Sequence, residues 1–333
     1  MIKSAPDHLG KLAALLLLTA TPGCGQTAPA MSVEDPRSPL HLVRRIELPD
    51  VKGRIDHMAL DAGHNRLFVA EYGNGSVDEI DLASGKISGR ITGLREPQGV
   101  AWLALEQEIA VACGDGSLKF YRGADRREVA AIRLGNDADN LGLDTRTGNL
   151  VVGYGSGALA VVDPKIHRVL RKVILKAHPE AFAIVGSRVF VNVPDAHQIA
   201  VGDVDSARGT SAWNTGRFAQ NYPMAVDATG SRIAVAYRSP GAVAVIDTRS
   251  GGTTFTVRIC GDADDLYFLA DRLAIICGEG AVELVDAGTN HNAIRVSTRR
   301  GARTGLLAPD RKTLFVAVPA ERAAAEIWQL SFN

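Results

Sequence analysis

The sequence predicts an all-β fold, a seven-bladed β-propeller closed by an N-terminal outer strand. Three observations predict it. A pattern of short apolar runs recurs at a period of about forty residues. It recurs seven times. An unmatched strand pattern precedes the first copy, and the last copy is one strand short.

Each copy opens on a polar residue followed by a short apolar stretch. A turn leads to a second, nearly continuous apolar run. That run reads Leu67-Phe68-Val69-Ala70, Ile109-Ala110-Val111-Ala112, Leu150-Val151-Val152-Gly153 and Val189-Phe190-Val191-Asn192. It returns as Ile233-Ala234-Val235-Ala236, Leu273-Ala274-Ile275-Ile276 and Leu314-Phe315-Val316-Ala317. A glycine-rich turn and a third run follow, as in Val77-Asp78-Glu79-Ile80-Asp81 and Val243-Ala244-Val245-Ile246-Asp247. Short β-branched runs bounded by Gly, Asn, Asp and Ser read as strands joined by hairpins. Asn74-Gly75, Asp115-Gly116 and Ser156-Gly157 suit the positive φ angles of tight turns.

Equivalent repeat starts fall at Asp56, Gln98, Asp139, Glu180, Tyr222, Asp264 and Arg303, in steps of 42, 41, 41, 42, 42 and 39. Seven four-stranded units of this length make a propeller, in which radial repetition hides the sheet edges. The last unit ends soon after Ile327-Trp328-Gln329-Leu330. The segment from Leu40 to Leu48 is expected to supply its missing outer strand and close the ring, because an open ring would expose two sheet edges. The propeller is thus expected over residues 40–333, with a flexible tether at 31–39 and a signal peptide at 1–30.

The N-terminal reading rests on Lys3 and Lys11 ahead of an apolar run from Leu12 to Ala20. That run is shorter than the roughly 20 residues a membrane span needs. Two processing sites compete. Thr21-Pro22-Gly23-Cys24 resembles a bacterial lipobox, with lipidation expected on Cys24, although Thr21 stands where an aliphatic residue is usual. Ala28-Pro29-Ala30 fits ordinary cleavage before Met31. Either implies an exported protein, periplasmic or held at the outer membrane of a bacterium as a lipoprotein. The only membrane contact expected is that lipid anchor. The chain carries 37 basic and 37 acidic residues, a balance that argues against electrostatic binding of nucleic acid.

Past Cys24, three cysteines remain: Cys113, Cys260 and Cys277. None forms a haem-attachment or paired metal motif. Cys260 and Cys277 either meet across neighbouring blades as a disulfide or are buried as small apolar residues.

The units resemble the YVTN-type β-propeller repeat of bacterial surface and periplasmic proteins. The clearest match runs from Asn65-Arg66-Leu67-Phe68-Val69-Ala70 through Gly75-Ser76-Val77-Asp78-Glu79-Ile80-Asp81 to Gly85-Lys86. The Tyr-Val-Thr-Asn tetrapeptide itself is absent. The resemblance implies the fold and says little of activity, because propellers host many functions.

In a propeller the first strand of each blade lines the central channel, so the seven repeat starts converge at one mouth. All seven are polar and four are carboxylates. The candidate ligand-binding residues are these seven (Asp56, Gln98, Asp139, Glu180, Tyr222, Asp264 and Arg303) together with His57, Asn140, His178, Asn221 and Asp265. Polar turns and a wet entrance account for any one of them. A whole ring of acids is harder to explain that way, because clustered carboxylates raise one another's pKa.

Such a ring is expected to bind a ligand or a protein partner without catalysis. A metal-dependent hydrolase or lactonase is the alternative, with a divalent cation such as Ca²⁺ on Glu180, Asn140, Asn221 and Asp264, and Asp139 or His57 activating water. A third reading is a scaffold that uses its rim for protein contacts. Tyr72, Tyr154 and Tyr237 end second strands near the same mouth, where they either pack between blades or stack a ligand.

Overall fold

The computed structural model describes residues 30–333 other than 207, 289–292 and 322, together with Met1. The expected leader and Cys24 lie outside the described residues. The structure is a seven-bladed β-propeller, with seven antiparallel sheets arranged in a ring.

Blade 1 begins with the strand Met58–Asp61, blade 2 with Pro97–Leu103, blade 3 with Ala138–Asp144 and blade 4 with Phe182–Val185. Blades 5, 6 and 7 begin with Ala219–Val226, Ala263–Leu269 and Thr304–Leu307. Second strands are buried on both faces because each blade is packed between two others. Leu67, Phe68, Val69 and Ala70 are all fully buried, and the equivalent runs of the other blades are nearly so. Fourth strands alternate exposed and part-buried residues, as Lys86–Thr92 and Glu128–Arg133 do, because they form the rim. Apolar clusters fill each interface between blades; Phe68, Val77, Val100 and Ile109 join blades 1 and 2.

The ring closes as expected. The strand Leu40–Leu48 pairs antiparallel with Ala325–Phe332, from Leu40 opposite Phe332 to Leu48 opposite Ala325. Leu40, Ile46 and Leu48 are buried in that seam. One blade is therefore built from both ends of the propeller.

The expected tether is a correction. Met31–Ser32 forms a fifth, parallel strand on blade 6, opposite Val296 and Ser297. Val33 is buried in the same cluster as Val296, and its carbonyl accepts from Leu42 N at 3.0 Å. An apolar Val33 beside an uncovered sheet edge has reason to dock. Residues 31–39 thus run along the propeller before the closing strand begins.

Cys260 and Cys277 form a disulfide with Cα atoms 6.0 Å apart, and Cys113 is a buried free thiol. The bridge joins the start of blade 6 to the end of its second strand. Among the described residues no helix is long and apolar enough to cross a membrane.

Candidate functional site

A repeated backbone device aims the residues at the mouth. Two positions before the repeat starts Gln98, Asp139, Tyr222 and Asp264 of blades 2, 3, 5 and 6, the chain takes a left-handed conformation, at Glu96 (φ 52°), Asp137 (φ 48°), Gln220 (φ 59°) and Asp262 (φ 58°). In each of these blades the first strand then slips register against the second, between Pro97 and Val100, Ala138 and Leu141, Asn221 and Met224, and Ala263 and Asp265. Such bulges bend a strand and redirect a side chain. Left-handed non-glycine residues are uncommon and cost about 1 kcal/mol or more. Their recurrence in register marks them as part of the blade design.

The mouth holds a small cavity of about 60 Å³ lined by Arg54, Asp56, His57, Asp139, Asn140, Glu180, Ala181, Tyr222, Met224, Asp264 and Asp265. Eight of the twelve expected site residues therefore meet. The other four stand behind or beside it. Gln98 Nε2 bridges blades 2 and 3 through Asp137 Oδ1 at 2.9 Å and Ala138 O at 3.3 Å. His178 Nδ1 lies 2.7 Å from the carbonyl of Gly155 and 3.7 Å from Asp137. Arg303 supports the cavity wall through Asp264 at 3.3 Å and Asp262 at 3.2 Å.

Asn221 is the clearest departure from the expected site. It is fully buried, and its Nδ2 donates to Asn192 Oδ1 at 3.0 Å and to Gln198 O at 3.1 Å. Asn192 in turn donates to the carbonyls of Tyr222 and Pro223. This amide pair ties blade 4 to blade 5. Asn221 is thus a structural fastener outside the cavity lining, while Asp264 is paired with Arg303 and Arg238. Among the described residues, no group of three His, Cys, Asp or Glu side chains is spaced to hold a metal ion. Of the expected donors, Glu180, Asn140 and Asp264 line the same cavity, and Asn221 does not.

Arg238 was missed by sequence reasoning. It lies next to the end of the second strand of blade 5, Arg232–Ser239, and makes ion pairs with Asp264 and, at 3.2 Å, Asp262. Its guanidinium also lies 4.3 Å from the centre of the Tyr222 ring. The signal was available. Tyr72, Gly114, Gly155, Pro194, Gly278 and Pro319 occupy the equivalent position in the other blades, so Arg238 is the lone charge. Of the three tyrosines, Tyr154 and Tyr237 are buried between blades, while Tyr72 carries Arg54 on its ring at 5.0 Å.

The electrostatics are strained in one direction. Arg54 pairs with Asp56 at 2.6 Å. His57 Nε2 stands 3.9 Å from Asp56 and 3.8 Å from Asp139. Burial works against a charged imidazole here. The carboxylates of Asp56, Asp139, Asp265 and Asp264 outweigh it and lift His57 to about 9. Burial pushes Glu180 up to about 8, reinforced by Asp139 and Asp264. It pushes Asp265 to about 7 and Asp139 to about 6, with His57 opposing both shifts.

Two cavity acids are left without a hydrogen bond to the carboxyl, and His57 at 3.8 Å is the ion-pair partner of one of them, Asp139. Asp139 Oδ1 is buried with no hydrogen-bond partner among the described residues. The Glu180 carboxyl accepts no hydrogen bond and forms no ion pair among them, although its backbone N–H bonds Asn192 O at 2.9 Å. Buried polar groups in proteins are nearly always satisfied, so the Asp139 oxygen needs a reason, whereas the part-exposed Glu180 carboxyl can also reach water.

No known protein family and no curated protein matches the chain.

Proposed function

We propose that this protein is an exported, non-catalytic propeller of YVTN type that captures a ligand at the charged mouth of its central channel. The propeller fold suits a binding or scaffold role in general. The single observation that carries the narrower reading is Asp139, whose buried Oδ1 accepts no hydrogen bond and has only His57 near it at 3.8 Å, set beside the Glu180 carboxyl in one small cavity. A purely structural entrance would pair its charges or leave them in water. Here burial and like-charge crowding are maintained at a cost in stability. A bound ligand is the natural compensation. Export rests on the sequence, on the apolar run from Leu12 to Ala20 and its two processing sites.

The hydrolase alternative is the weaker reading, because Asn221 is committed to Asn192 and Asp264 to Arg238 and Arg303. The deciding experiment uses the double variant Asp139→Asn with Glu180→Gln. Its melting temperature is measured at pH 8, and binding of methylammonium chloride and calcium chloride is followed by calorimetry. A binding site predicts a variant that melts at or above the wild type and has lost cation capture. A variant that melts lower and binds as before removes the functional reading of the mouth.

A further inference from the structure

The channel has a second, chemically opposite compartment. A cavity of about 330 Å³ is lined by residues from the innermost strands of blades 3 to 7, chiefly Leu143, Phe182, Ile184, Met224 and Tyr267. Its polar groups are turned elsewhere. Tyr267 Oη donates to Gly305 O at 2.8 Å, and Arg311 Nη1 to Phe268 O at 2.7 Å. Most of the surface left facing the space is apolar. Leu143 is 45% exposed, although it sits on an inner strand.

The two compartments adjoin. Met224 lines both the charged cavity and the apolar one. The same strands also pass from one to the other: Glu180 and Ala181 line the first, and Phe182, Ala183 and Ile184 line the second. Glu180 and Ile184 are four residues apart, about 13 Å of extended chain at most. Ligand sites are typically apolar concavities with a few polar groups that fix orientation. This channel has that composition, sorted end to end.

We propose that the ligand is an amphipathic cation, a primary ammonium on an aliphatic body, with its head among the mouth carboxylates and its body in the apolar compartment. The charge follows from the lining. Five acids line the charged cavity against Arg54 and His57, with Arg238 and Arg303 reaching Asp264 from beside it, and the Asp139 Oδ1 left without a hydrogen bond is an acceptor that an ammonium would satisfy. The body follows from the apolar compartment beyond Met224. This inference rests on the mouth being a binding site and adds the class of its ligand.

Calorimetry with n-octylammonium, methylammonium, octanoate and octanol tests it on the intact protein. Each buried methylene contributes about 0.8 kcal/mol, roughly fourfold in affinity. Octylammonium is therefore expected to bind on the order of a hundredfold tighter than methylammonium if several methylenes are buried. Octanoate, repelled by the carboxylates, should bind least. Leu143→Asn and Ala225→Phe should each collapse the ratio between the two ammonium probes. Leu143 is exposed enough to substitute without unfolding, and a melting curve checks both variants. Equal affinity for octylammonium and methylammonium, or no octylammonium binding, overturns the inference. So does octanol or octanoate binding as tightly as octylammonium. Failure of the mouth reading looks different, as ammonium binding that survives in Asp139→Asn with Glu180→Gln.

Discussion

His57 Nε2 stands 3.8 Å from Asp139 Oδ1, joining blade 1 to blade 3 past the blade between them. The contact exists because both side chains reach the channel axis. His57 also lies 3.9 Å from Asp56, so one imidazolium serves two buried acids. His57→Gln is expected to lower stability at pH 7 by about 1–3 kcal/mol, the cost of leaving a buried charged acceptor without its partner. Above pH 9 the wild-type imidazole loses its proton. The gap between wild type and variant should then close. Chemical denaturation at pH 7 and at pH 10 measures both halves. A gap that is unchanged at pH 10 would show that His57 acts through packing and not through charge.

The raised acids give a second prediction, in pH. Glu180 and Asp265 hold protons in the folded chain at pH values where an unfolded chain has lost them. So does Glu71, which is buried in blade 1, accepts from Ser76 and is pushed to about 8 by burial and Asp78. The folded state therefore binds more protons, and stability must fall as pH rises. The stabilising contribution is complete below about pH 4.5 and is lost as pH climbs through 7 and 8. His57 has the same sign between 6.5 and about 9. Melting temperature should decline steadily from pH 5 to pH 9. Glu180→Gln should match the wild type near pH 5 and exceed it near pH 9. Melting that rises across this range would contradict the buried-acid picture.

How much of this was legible in the sequence depends on what carries each feature. The seven blades were legible because the continuous apolar second strands repeat in register. The closing strand was legible because Leu40 to Leu48 had no hairpin partner and the last copy lacked one. Strand starts were enough to place Asp56, Asp139, Glu180 and Asp264 at one cavity. They were not enough to aim Gln98 or Asn221, since the left-handed residues and bulges that rotate them leave no composition signal. Glu96, Asp137, Gln220 and Asp262 look like ordinary polar loop residues. Asn192 did carry a signal: small or apolar residues hold its place in the other blades. Its partnership with Asn221 needs the fold.

The seam gives a third prediction. Ile46 is 1% exposed between Ile327 and its neighbours, whereas Glu47 on the same strand is exposed. Ile46→Ala should cost about 2–5 kcal/mol, as removing a large buried aliphatic side chain does. Glu47→Ala should change stability by less than about 0.5 kcal/mol. Deleting residues 40–49 removes the outer strand of blade 7 and exposes a sheet edge, so that variant should melt far lower and aggregate. An unchanged melt in the deletion would mean that blade 7 stands without its N-terminal strand.

The disulfide gives the last prediction, and it bears on the site as well as on stability. Cys260 and Cys277 are 17 residues apart. Closing a loop of that size stabilises a protein by about 3 kcal/mol in the chain-entropy account. The bridge sits directly before the segment Gly261-Asp262-Ala263-Asp264-Asp265, which supplies two cavity acids and the anchor for Arg238 and Arg303. Cys260 N is further held by Glu283 Oε2 at 2.9 Å. Cys260→Ala with Cys277→Ala should therefore lower melting and also weaken ligand capture, because the left-handed turn at Asp262 loses its fixed starting point. Thiol titration checks the pairing independently. Cys113 is buried and its thiol is pushed up to about 11 by burial, so the folded, unreduced chain from residue 31 onward should show no reactive thiol. The same chain in denaturant should show one. Three thiols in denaturant without reductant would mean that the bridge does not form, and the two cysteines would then be acting as small buried residues.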